Sequence, residues 1–167
     1  MSGNTANSNI VGFNFNPSSN NTHSANTANS NSNYGVSISA SSNNTISGNT
    51  TNSNTWYGIY LTSASDSNTI SGNTANTNDQ YGVVLSASYN NRVARNTVQS
   101  NTQTGIYVTN ADTNAITQND VERATSTVSC ASDASHTVVV GGSESWRNAA
   151  TRVSQRRRST ACEGRMA

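Results

Sequence analysis

Large apolar residues are sparse in this chain, yet they fall in register. A glycine returns at Gly12, Gly35, Gly58, Gly82 and Gly105, in steps of 23, 23, 24 and 23 residues. An apolar-x-apolar triplet follows each one: Phe13/Phe15, Val36/Ile38, Ile59/Leu61, Val83/Leu85 and Ile106/Val108. Asn-x-Ile-x-x-Asn then recurs at residues 44–49, 68–73 and 114–119. Self-similarity at a fixed short period marks a solenoid, in which each repeat is one coil and equivalent residues stack. A 23-residue coil rich in Asn, Ser, Thr and Gly is a poor helix former, so short strands joined by turns are predicted. In Gly58-Ile59-Tyr60-Leu61, alternation sends Ile59 and Leu61 inward and Tyr60 outward, and in Thr69-Ile70-Ser71 it sends Ile70 inward. Residues 64–68 and 76–80 read as the turns between strands.

Stacked at the ~4.8 Å spacing of neighbouring strands, about five coils make a rod roughly 24 Å long. Each coil position then becomes a column, such as His23/Ile46/Ile70/Val93/Ile116 or Asn26/Asn49/Asn73/Asn96/Asn119. Three large apolar residues per coil, at about 1.5–3 kcal/mol each, do not offset the ordering of the whole coil at about 1–2 kcal/mol per residue. Hydrogen bonds between coils must contribute the rest. The asparagine column is therefore predicted to be a structural ladder, each amide bonded to its copies above and below.

Tyr57-Gly58-Ile59-Tyr60-Leu61, followed by Ser65-Asp66-Ser67-Asn68-Thr69-Ile70-Ser71-Gly72-Asn73, resembles the NosD-type repeat, and the resemblance covers roughly residues 2–121. It implies an all-β fold, a right-handed parallel β-helix. Such folds occur in periplasmic copper-binding proteins that serve nitrous oxide reductase maturation, in surface proteins and in carbohydrate-related β-helix proteins. The repeat specifies the scaffold more than the activity, since function lives in sites grafted onto a fold. Ser2-Gly3-Asn4-Thr5 matches Ser47-Gly48-Asn49-Thr50, so the chain reads as a piece of a longer solenoid from a secreted, cell-surface or periplasmic protein. Residues 1–25 lack the pattern of a signal peptide, and no apolar stretch has the length of a membrane span.

Residues 122–167 lose the period and hold both cysteines, Cys130 and Cys162, with Trp146 and most of the arginines. This non-repeat tail reads as a cap, a linker to a further domain, or sequence unrelated to the fold, with poor order expected beyond about residue 125. Residues 136–142 are the stretch suited to adding one edge strand. The two cysteines are candidates for a disulfide in an oxidising compartment.

Net charge is +1 and lysine is absent, while residues 1–120 set four aspartates against Arg92 and Arg95. The coils thus lack the basic stripe that phosphate backbones require, which excludes nucleic acid as a partner for them. Copper, which the resemblance suggests, calls for clustered His, Cys or Met. Here His23 sits in an apolar column, His136 and the cysteines lie in the tail, and Met1 and Met166 are terminal, so no metal or cofactor is predicted. Asp66 and Asp112 occupy matching turns two coils apart, about 9–10 Å by strand spacing, at the upper end of the inverting-glycosidase range. Tyr89 stands between them and both positions suit backbone capping, so no catalytic residue is assigned, and the enzyme reading places catalytic coils outside this chain. A flat hydroxyl array for ice contact is a further reading, from Thr22/Ser24, Thr45/Ser47 and Thr69/Ser71, interrupted by Arg92/Ala94.

Aromatic residues give the strongest candidate. Tyr34, Tyr57 and Tyr81 precede successive glycines, Trp56 stands beside Tyr57, and Tyr60 and Tyr107 face outward on the following strands. Tyr57, Tyr60, Tyr81, Tyr107 and Trp56 are the candidate ligand-binding residues, for a polysaccharide or cell-envelope polymer. The alternative is a cross-coil aromatic ladder that seals a corner, and Thr104 and Val84 interrupt both rows. Exposed solenoid ends also predict end-to-end self-association.

Overall fold

The computed structural model describes residues 1–122, 126–130, 137–140 and 162–165. Each coil contributes one long strand, one short strand and a third side held by single bridges in the first coils and by a short strand pair in the last. The long strands β1 (Val11–Phe15), β3 (Tyr34–Ser39), β5 (Tyr57–Thr62), β7 (Tyr81–Ser86), β10 (Thr104–Thr109) and β13 (Ser126–Cys130) form one parallel sheet in that order. The short strands β2 (Thr22–Ser24), β4 (Thr45–Ser47), β6 (Thr69–Ser71), β8 (Arg92–Ala94), β11 (Ala115–Thr117), β14 (Thr137–Val140) and β15 (Cys162–Arg165) form the second. On the third side, β9 (Thr97–Gln99) pairs with β12 (Asp120–Glu122), and bridges continue the line through Thr5, Thr27, Thr50 and Thr74. Through the repeats, neighbours in each sheet are parallel and one coil apart in sequence, which makes the fold a right-handed parallel β-helix of about five coils. Among the described residues no helix is long and apolar enough to cross a membrane.

β13, β14 and β15 carry the two larger sheets past the last repeat, with β14 beside β11. The rest of the non-repeat tail, with His136 and Trp146, lies outside the described residues, and so does most of the stretch expected to be poorly ordered.

Register builds the core. Val36, Ile59, Val83 and Ile106 pair in one column, Ile38, Leu61, Leu85 and Val108 in a second, and His23, Ile46, Ile70, Val93 and Ile116 in a third. A fourth inward column, absent from the sequence reading, is Ala28, Thr51, Ala75, Val98 and Val121, none more than 2% exposed. This column accounts for the recurring glycine. A Cβ on Gly58 would stand 2.7 Å from the Gly82 carbonyl oxygen and 2.9 Å from Ala75 Cβ, and one on Gly35 would stand 2.8 Å from Thr51 Cβ. The corner closes because those side chains are missing.

Turns repeat as faithfully as strands. Asn20, Asn43, Ser67, Asn90 and Thr113 occupy one turn column with φ of 62°, 59°, 57°, 56° and 57°, in the left-handed region that short polar side chains tolerate best. Buried asparagines bind the turns to one another. The side-chain and backbone N–H groups of Asn49 both donate to Asn73 Oδ1 at 2.9 Å, and Asn73 treats Asn96 in the same way. Asn26 donates to Asn49 and Asn96 to Asn119 by the same pairing. The remaining amide hydrogen of Asn73 reaches the Ile46 carbonyl at 2.9 Å, so the amide is satisfied without water. Asn31, Asn54, Asn78 and Asn101 make a second such column, with side-chain contacts of 3.0, 3.0 and 2.9 Å.

Candidate functional site

Tyr34, Tyr57 and Tyr81 open β3, β5 and β7 in register, so their rings follow the coil repeat. Ring centroids are 5.3 Å apart from Tyr34 to Tyr57 and 5.2 Å from Tyr57 to Tyr81, with interplanar angles of 29° and 38°. Tyr60, on the outward face of β5, lies 5.0 Å from Tyr34 and 5.2 Å from Tyr57, edge-on to the latter at 73°. Tyr107 stacks on Tyr81 at 4.9 Å and 15°. Trp56 packs edge-on against Tyr34 at 5.6 Å and remains 40% exposed.

All five candidate residues therefore join, with Tyr34, in one continuous aromatic wall across four coils. The positions expected to interrupt the rows do not break it. Thr104 takes the place of a tyrosine beside Tyr81, but Tyr107 supplies the missing ring, and Thr104 is 7% exposed. Val84 faces outward between Tyr60 and Tyr107 in register, yet is only 3% exposed among the surrounding rings. Each interruption lies within one column of the sequence repeat, whereas the rings fill gaps between columns.

The wall has features of a cross-coil ladder and of a ligand platform. Its tyrosines use much of their faces on one another, as a ladder does. They are nonetheless only half-buried, and the plane of Trp56 and that of Tyr60 lie crosswise to neighbouring rings. Burial pushes the phenols of Tyr34, Tyr57 and Tyr81 above their ordinary range, and the charge of neighbouring tyrosinates adds to the effect. The phenols thus stay neutral hydroxyls, able both to donate and to accept, over the whole ordinary pH range. Beside the rings, backbone hydrogen bonds link Asn33, Trp56, Gln80 and Gln103 into one row, with Trp56 N–H on the Asn33 carbonyl at 3.0 Å.

Other candidates have structural occupations. Asp66 Oδ1 accepts the Tyr89 backbone N–H at 2.7 Å, tying one turn to the next. The Asp112 backbone carbonyl accepts Asn90 N–H at 3.2 Å, as the Asp66 carbonyl accepts Asn43 N–H at 3.1 Å. Thr22, Thr45 and Thr69 align on the second sheet with Ser24, Ser47 and Ser71, and the ranks end at Arg92 and Ala94.

The described residues do not fit a copper centre. No group of three or more His, Cys, Asp or Glu side chains comes together among them. His23 is 7% exposed and stacks on Phe15 at 3.7 Å, with neither ring nitrogen partnered, and burial lowers its pKa. Cys130 is disulfide-bonded and so offers no thiolate. His136 and Met166 lie outside the described residues.

Three solved structures show the same fold. The periplasmic alginate epimerase AlgG matches with a TM-score of 0.74 and 23% identity over 83% of this chain and 38% of its own. A single-residue variant of that enzyme gives 0.75 and 24% over 84% and 38%. A double variant gives 0.69 and 22% over 83% and 38%, so the chain spans less than two-fifths of the length of these structures. No curated protein matches the sequence. Residues 1–141 match the family described as periplasmic copper-binding protein (NosD), and with the AlgG structures also periplasmic, this supports an extracellular or periplasmic location. The chain belongs to the NosD family of parallel β-helix proteins.

Proposed function

We propose that this chain is a carbohydrate-binding scaffold of the periplasm or cell exterior, and that the aromatic wall is its contact surface. The observation that carries this reading is the continuity of ring contacts from Tyr34 to Tyr107 on one outward strand face. Aromatic rings with free edges and hydroxyls suit sugars, which present both C–H faces and hydroxyl groups. The rod supplies rigidity, holding those rings at fixed intervals without an ordering cost on binding.

Copper handling and polysaccharide cleavage are weaker readings. The donors for the first do not converge among the described residues. For the second, Asp66 is occupied in a turn. A glycan array probed with the full chain, beside a Tyr60→Ser/Tyr107→Ser double variant, tests the proposal. Binding by the parent that disappears in a folded double variant supports the wall as a sugar surface. Equal binding by both proteins, or none by either, removes it and leaves a structural spacer.

A further inference from the structure

The chemistry of the wall narrows its ligand. The outward positions along the long strands read Asn14, Ser37, Tyr60, Val84 and Tyr107, with no ionised side chain among them. The adjoining row of Asn33, Trp56, Gln80 and Gln103 is likewise uncharged. Among the described residues the ionised groups nearest the wall are aspartates at its borders: Asp79 just before β7 and Asp66 in the turn after β5. Arg92 and Arg95, the two arginines of the coils, lie on the second sheet and in the turn that follows it. Among the described residues, a polyanion laid on the wall would find no cation and would approach like charges at both borders.

Geometry adds a direction. Successive rings in the stack are 5.3, 5.2 and 4.9 Å apart, following the coil repeat. That interval is close to the length of one sugar unit in an extended pyranose chain. A polymer running along the rod would therefore meet equivalent rings and hydroxyls once per sugar, whereas one crossing the rod would leave the wall within a single coil.

Resting on the carbohydrate reading above, we infer that the ligand is an uncharged polysaccharide lying parallel to the solenoid axis, one sugar per coil. This separates the chain from the structures it resembles, since alginate is a polyanion.

Affinity electrophoresis of the full chain through gels containing a soluble β-glucan, a galactomannan, alginate or chitosan, at low and high salt, tests it. Retardation is expected with at least one uncharged polymer and is expected to be insensitive to salt. Trp56→Ala and Tyr60→Ser should each weaken it about tenfold, and Trp56→Ala should do so with almost no change in melting temperature. Affinity for oligosaccharides of that polymer should climb with length until the ligand spans the four stacked rings, then level off. The paired change Gln80→Lys/Gln103→Lys should create a new, salt-sensitive affinity for alginate. Alginate or chitosan binding by the parent chain that salt abolishes and Trp56→Ala removes would overturn the uncharged ligand while keeping the wall. Affinity that does not vary with oligosaccharide length would overturn the axial alignment. Retardation by no polymer, or retardation unaffected by both wall substitutions, would sink the carbohydrate reading itself.

Discussion

The inner asparagine column and the outer aromatic wall are built by the same coil repeat, and they tolerate variation very differently. Inside, Asn26, Asn49, Asn73, Asn96 and Asn119 are identical in all five coils, and each is at most 2% exposed. Outside, tyrosine gives way to Thr104 in one column and to Val84 in the other, and the wall survives both. The difference lies in what each contact needs. A buried amide must match donor to acceptor at every step, because an unpaired one costs about 1–3 kcal/mol. Half-exposed rings need only contact, which a neighbour in another column is able to supply. Uniformity inside thus reports stability, while the conspicuous rings outside are free to serve recognition.

The sharpest way to break the comparison is inside. Asn73→Ala strips the acceptor from the backbone and side-chain N–H groups of Asn49 and the donor from the Ile46 carbonyl. A loss of about 3–4 kcal/mol is expected, read as a lower denaturant midpoint. An unchanged midpoint would show that the column is not what holds the coils. Gly58→Ala comes next, because its Cβ would meet the Gly82 carbonyl oxygen at 2.7 Å. Backbone there cannot swing aside as a side-chain tip does. Overpacking of this kind costs about 1–3 kcal/mol, and a calorimetric melt at the parent temperature would contradict the account of the corner.

The scaffold was legible because its signals recur every 23 or 24 residues: the glycines, the apolar triplets and the first asparagine column all stand at that interval. Less visible was the fourth inward column, since Ala28, Thr51 and Ala75 look like solvated turn residues in a chain this rich in Ala and Thr. The second asparagine column escaped for a related reason. Asn31, Asn54, Asn78 and Asn101 each follow the first column by five residues, a regular spacing masked by the asparagines around them. The wall was read residue by residue but its continuity was not, because Tyr107 covers for Thr104 across columns rather than along one. Such compensation exists only in three dimensions.

His23 tests the inner face at a place where the apolar rule is broken. It occupies a column otherwise filled by isoleucine and valine, its ring nitrogens have no partner, and the groups near it are Phe15, Ile46 and the N-terminal ammonium rather than an acid. Burial, and then that ammonium, hold its pKa below 6.5. For a base lowered on folding, the contribution to stability is fully present above the unfolded value and is lost as pH falls through the folded one. The parent chain should therefore weaken below pH 6.5, the unfolded reference value. His23→Ile should remove that acid-dependent step and gain about 1 kcal/mol at neutral pH by relieving the unpaired nitrogens. Melting curves across that range check both, and parallel pH profiles for the two proteins would show that His23 does not carry the dependence.

The smallest effect on stability is expected at the most exposed ring. Trp56 is 40% exposed and touches Tyr34 only edge-on. Its removal leaves the Tyr34–Tyr57–Tyr81 stack and every asparagine contact in place, so Trp56→Ala should shift folding stability by no more than about 0.5 kcal/mol. A sugar surface and a corner seal diverge at this residue. If the wall recognises a ligand, this nearly silent substitution in the melt should be among the most damaging in binding, since a rigid aromatic edge offers contact at little conformational cost. If the rings merely close the corner, the variant should lose stability and change no affinity. Measuring melt and polymer binding on the same preparation therefore tests whether recognition and stability occupy different parts of one coil.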